Sequence, residues 1–121
     1  MAAGLVVATI GASAAPAFAN DDDVTRRGSC SGASDWKLKL SPEDGRIEVE
    51  FEVDQNRVGQ NWAVSIWHEG DRIFAGRRVT QAPSGSFEVR VLARETAGGD
   101  AFRARATNLA SGETCVGRAT F

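Results

Sequence analysis

The chain has 121 residues, enough for one domain, and its 14 basic against 16 acidic side chains leave a formal charge of −2. No strong field of either sign follows, which argues against a nucleic-acid-binding or membrane-surface protein.

Residues 1–19 carry no charged side chain. Leu5, Val6, Val7 and Ile10 form a short apolar run followed by small residues. Ala17-Phe18-Ala19 then gives an A-x-A pattern, with Asn20 and three aspartates beyond it. This is the h-region and cleavage site of a secretory signal peptide, too short for a good membrane span. No positive n-region precedes Leu5, so a start further upstream stays open. The expectation is a secreted, extracytoplasmic protein that begins at Asn20 and does not insert into the membrane after signal cleavage. Cys30 follows Arg27-Gly28-Ser29 rather than an apolar lipobox, so it is not expected to be a lipid anchor.

Residues 20–29, NDDDVTRRGS, read as a flexible tail, with Asp21, Asp22 and Asp23 as solvated charges rather than a metal site. The domain proper is expected over 30–121. Cys30 and Cys115 are the only cysteines, and in an oxidising compartment an isolated pair forms a disulfide. It closes a loop of roughly 85 residues.

Beyond the tail, apolar and polar residues alternate with a period of two, which predicts strands. The first spans 36–40, with Trp36, Leu38 and Leu40 inward, and 41–45 is a turn. The second spans 46–53, where Ile47, Val49, Phe51 and Val53 alternate with Glu48, Glu50 and Glu52. Pairing Ser41 with Arg46 sets Lys39 on Glu48, Lys37 on Glu50 and Trp36 on Phe51, so charge and apolar patterns agree. A polar loop, 54–60, leads to a strand over 61–67 with Trp62, Val64 and Ile66 inward. A turn at 69–71 leads to a strand over 72–79, whose phase the adjacent Ile73 and Phe74 leave open. Strands over 86–94, 101–109 and 114–121 follow, with Phe87, Val89, Val91, Phe102, Ala104, Ala106, Cys115, Gly117, Ala119 and Phe121 inward. About seven short strands with regular turns predict an all-β antiparallel sandwich.

The run Phe102-Arg103-Ala104-Arg105-Ala106-Thr107-Asn108, then Gly112, resembles the F–G hairpin of immunoglobulin-like domains. Trp62 stands where such folds place a core tryptophan. Ala104 occupies the usual cysteine place, and Phe102 replaces the tyrosine of the corner hydrogen bond. The resemblance implies an immunoglobulin-like topology with its own disulfide, the first, second and fifth strands in one sheet and the other four in the second. The whole chain is also similar to small exported proteins of high-GC Gram-positive bacteria, a likeness that implies no site.

Chemistry-bearing patterns are sparse. His68 is the only histidine and is expected as a solvated turn residue; no nucleophile, P-loop, dinucleotide or metalloprotease motif occurs. No catalytic residue, cofactor or metal is therefore expected. Glu48, Glu50 and Glu52 read as a solvent face neutralised by Lys37, Lys39 and Arg90 rather than as catalytic carboxylates.

One surface stands out. The expected outer face of the second sheet shows Ala63, Ser65 and Trp67, then Arg103, Arg105 and Thr107, then Val116, Arg118 and Thr120, plus Phe74 or Ile73. Trp67 is expected beside Arg103, and a two-residue turn at Ser111-Gly112 sets Arg105 opposite Arg118. Trp67, Phe74, Arg103, Arg105 and Arg118 are the candidate ligand-binding residues, since an aromatic beside cations suits an anionic or sugar-like partner. The alternative is that arginine stems merely cover an exposed tryptophan. The functional expectation is a non-enzymatic binding or interaction module for an extracellular protein or envelope component. A small secreted protease inhibitor, using the loop 81–85, is the alternative.

Overall fold

Strict alternation of β-branched and aromatic residues with charged ones leaves the chain no way to bury its apolar half except as facing sheets. The computed structural model describes residues 22–121. The expected signal segment 1–19, with Asn20 and Asp21, lies outside the described residues. Eight strands form: β1 Val24–Ser29, β2 Asp35–Glu43, β3 Arg46–Asp54, β4 Asn61–His68, β5 Asp71–Val79, β6 Ser86–Arg94, β7 Ala101–Asn108 and β8 Thr114–Thr120. They make two antiparallel sheets of four, in the orders β1-β2-β3-β6 and β5-β4-β7-β8. No helix occurs among the described residues. The all-β two-sheet sandwich and its division of strands are as the periodicity and the resemblance led one to expect.

The inward residues of both sheets form one core. Leu38, Leu40, Ile47, Val49, Phe51 and Val53 meet Trp62, Val64, Ile66, Ala104 and Ala106 across the interface, all essentially inaccessible to water. Trp62 packs 6.0 Å from the Phe87 ring, and its Nε1 donates to Gln55 Oε1 at 3.0 Å. That bond satisfies the one polar atom the buried indole carries.

Three local expectations are corrected. Residues 24–29 are not a free tail: they form β1, paired with β2 from Val24↔Leu40 to Ser29↔Asp35. The segment has no strong apolar alternation because, as an edge strand, it covers the core with little more than Val24 and Gly28. The β2–β3 turn is the two-residue Asp44-Gly45, both at positive φ (51° and 79°), the conformation that suits a right-twisted hairpin. The register therefore slips by two residues: Lys39 faces Glu50, Lys37 faces Glu52, and Trp36 faces Val53. A slip of two keeps every side chain on its expected face. The β7–β8 loop is also longer than Ser111-Gly112. Asn108 Oδ1 accepts the amides of Ala110 and Ser111 at 2.8 and 2.9 Å, closing a local turn.

The two sheets are tied at one corner. Cys30, just past β1, is disulfide-bonded to Cys115 of β8, as expected. Beside it Glu113 accepts hydrogen bonds from the amides of Gly32 and Ser34 and from Ser34 Oγ. The Trp36 indole lies between Gly28 and Gly117, so close that a Cβ on either would stand 2.7 Å from a ring atom.

Candidate functional site

The site residues follow from the period of the β5-β4-β7-β8 sheet. Ile66, Ala104 and Gly117 point into the core, so their chain neighbours Trp67, Arg103 and Arg118 point outward. Cross-strand pairing then aligns Arg72, Trp67, Arg103 and Arg118 in one row, running β5 to β8. The next row is Ala75, Ser65, Arg105 and Val116; the one after it is Arg77, Ala63, Thr107 and Thr114. Neighbouring strands lie about 4.8 Å apart, so the first row spans roughly 14 Å.

As expected, Trp67 adjoins Arg103. The guanidinium carbon stands 3.9 Å from the indole centroid, a close cation–π contact. Arg118, however, faces Arg103 rather than Arg105, because the longer β7–β8 loop shifts the register; Arg105 faces Val116.

Phe74 is not part of this surface. A bulge between Ile66 and Trp67 lets Ile73 fall out of register, so Phe74 pairs with Ile66 and shares its inward side. There it packs against the core edge, with the Arg78 guanidinium 5.0 Å from its ring. The bulge resolves the ambiguity of the Ile73-Phe74 pair and puts Arg72 beside Trp67 in its stead. Arg72 and Arg77 belong to the surface and were absent from the sequence reading; alternation read on each side of a bulge would have found both.

Arg72, Arg77, Arg105 and Arg118 are exposed and Arg103 is half-buried. None of the five takes part in an ion pair among the described residues. No carboxylate occupies an outward position on β4, β5, β7 or β8 within these rows. The middle of the face is low because its side chains are small. Ala63, Ser65, Trp67, Arg72, Arg105 and Thr107 line a groove of about 400 Å³ there. A second depression, about 270 Å³, lies on the other side of Trp67 against Arg103 and Arg118.

No protein-family model matches the chain, and no curated protein is detectably similar to it.

The opposite face is electrostatically different. Glu48, Glu50, Glu52 and Glu88 are interleaved with Lys37, Lys39 and Arg90, and Arg90 pairs with Glu48, Glu50 and Glu88 at 3.4 to 3.8 Å. Lys37 pairs with Glu52 at 3.7 Å, while Lys39 reaches Asp23 of the N-terminal segment at 3.6 Å. Partial burial, followed by the neighbouring Glu50, raises the carboxyls of Glu48 and Glu88. Neither lies in a cleft. A larger hollow on this side, about 440 Å³ around Trp36, mixes Arg27 and Lys37 with Asp35, Glu52 and Asp54, so its charges offset one another.

His68 departs from its expected role. It is 9% exposed, stacks on Phe102 at 4.6 Å, and its Nε2 lies 2.7 Å from Asp100 Oδ1. Asp100 is 1% exposed and also accepts the Thr96 amide and hydroxyl. Burial alone would raise its carboxyl, the largest single influence. The bonds from Thr96 and His68 together outweigh burial and hold it below the ordinary carboxylate range. The signal was present in the sequence: continuing the inward series 62, 64, 66 by one step reaches 68. Thr96 bonds Asp100 rather than His68, and the three side chains form a brace between β4 and the loop before β7. Among the described residues no cluster of three or more His, Cys, Asp or Glu could hold a metal ion.

The loop 81–85 is a closed turn, with Gly85 N donating to Gln81 O and Gln81 N to Ser86 O. It is held against the loop after β3, where the amides of Gln55 and Asn56 both donate to Gly85 O.

Proposed function

We propose that this chain is a secreted, non-enzymatic binding module of immunoglobulin-like type, whose ligand face is the outer surface of the β5-β4-β7-β8 sheet and whose partner is anionic. One observation carries the reading: five arginines share a sheet face with Trp67 and have no carboxylate partner there. Like charges placed directly across strands, as in Arg103↔Arg118, oppose folding rather than assist it. On the opposite face, by contrast, Lys37 and Arg90 are neutralised by ion pairs with glutamates. A cationic face that reduces stability is accounted for when an external anion completes it. The A-x-A pattern and the disulfide support export, and the strand order supports the immunoglobulin-like assignment.

The test is affinity capture from the producing cell's envelope and culture fluid, using the wild type and an Arg72→Glu/Arg105→Glu variant of matched melting temperature. Material retained by the wild type, released by salt and missing from the variant is the expected result. Identical retained material in both would overturn the reading.

A further inference from the structure

We infer that the groove beside Trp67 takes an acidic polysaccharide, its anionic groups held by Arg72 and Arg105 and its sugar hydroxyls by Ser65 and Thr107. The inference rests on the binding face proposed above and names what that face recognises.

Charge complementarity sets the sign of the ligand. Arg72 and Arg105 border the groove, and Arg103, Arg118 and Arg77 extend the cationic surface to both sides. Guanidinium forks suit carboxylate, sulfate and phosphate oxygens alike. The floor sets the class. Ser65 Oγ and Thr107 Oγ1 make no hydrogen bond among the described residues, yet both line the groove. Free hydroxyls next to an indole wall and guanidinium donors match the hydroxyls and C–H faces of a sugar ring.

The other anionic partners fit less well. Single-stranded nucleic acid needs successive aromatic platforms, whereas this face has one indole with a guanidinium already over it. An anionic membrane needs apolar side chains that protrude, and Trp67 is half-buried with small residues beside it. A protein interface needs a desolvated apolar centre, whereas here the Trp67 ring is already covered by Arg103 and Ala63, Ser65 and Thr107 beside it are small. A second copy of this chain would have to offer an acidic stripe. On the opposite sheet the acidic column Glu48, Glu50 and Glu52 of β3 is instead already engaged by Lys37 of β2 and Arg90 of β6.

The experiment is direct titration of the purified exported chain, followed by calorimetry, with six probes: polygalacturonate, dextran sulfate, neutral dextran, polyglutamate, a single-stranded oligonucleotide and phosphatidylglycerol vesicles. Polygalacturonate or dextran sulfate is expected to bind more tightly than the other four, with affinity falling as salt rises. The preferred one of the two distinguishes a carboxylated from a sulfated chain. Arg105→Glu should weaken it at least about tenfold. Ser65→Ala/Thr107→Val, which leaves every charge in place, should weaken the polysaccharide but not polyglutamate. Equal or tighter binding of polyglutamate, oligonucleotide or vesicles overturns the polysaccharide assignment; if Arg105→Glu abolishes that binding too, the anion-binding face itself stands. Failure of both acidic polysaccharides to bind also overturns the assignment, and the capture comparison then judges the face separately.

Discussion

Arg103 stands between two opposed interactions: its guanidinium covers the Trp67 ring at 3.9 Å, and its cross-strand neighbour on the other flank is Arg118. The first is worth about 0.5–1 kcal/mol at an exposed site. The second is unfavourable by a similar amount. Arg118→Glu turns the repulsion into an attraction. It should raise stability by about 0.5 kcal/mol, or the melting temperature by roughly 2–4 °C for a domain of this size. The same change should weaken binding of acidic polymers. Calorimetric melting alongside a binding titration checks both, and a variant less stable than wild type would show that Arg118 is not repelled in the folded protein.

The buried brace of His68, Asp100 and Thr96 makes a pH-dependent contribution. The Asp100 carboxyl is lowered in the folded state, so its stabilisation is complete above the unfolded value of about 3.9 and is lost as pH falls through the folded value. Asp100→Asn should cost about 1–3 kcal/mol at neutral pH, because it removes the charge that three hydrogen bonds serve. Urea unfolding of both proteins at pH 7 and below pH 4 tests this: the gap should narrow at the lower pH.

The disulfide spans 85 residues of sequence and joins the two sheets at one corner. Loop-closure entropy puts its contribution at up to about 4–5 kcal/mol. That is a large part of the roughly 5–15 kcal/mol that holds an ordinary domain together. Reduction, or Cys30→Ala/Cys115→Ala, should lower the urea midpoint sharply. A midpoint that stayed put would mean that the Glu113 hydrogen bonds and Trp36 packing hold the corner without it.

Gly117 has no room for a side chain. Its Cβ would stand 2.7 Å from Trp36, and the indole is confined on its other side by Gly28. Gly117→Ala should therefore destabilise by about 1–3 kcal/mol through overpacking. A companion Trp36→Phe should recover part of that loss, and additive losses in the double variant would argue against the clash.

The sequence by itself determined the faces. A period of two fixes which side chains of each strand point to the core, and burial of Trp62, Phe51 and Ala104 follows from it without knowledge of any partner strand. It also determined the Cys30–Cys115 pairing, since no other cysteine competes. Tertiary structure decided what stands opposite what. Slipping β3 by two residues preserved every face yet exchanged the partners of Lys37 and Lys39, because alternation is blind to even shifts and only the turn sets the register. One bulged residue moved Phe74 inward and brought Arg72 to Trp67. A longer loop put Arg118 against Arg103. The arginine row, and the groove beside it, exist only because three separately set registers align, and no segment of the chain encodes that alignment alone.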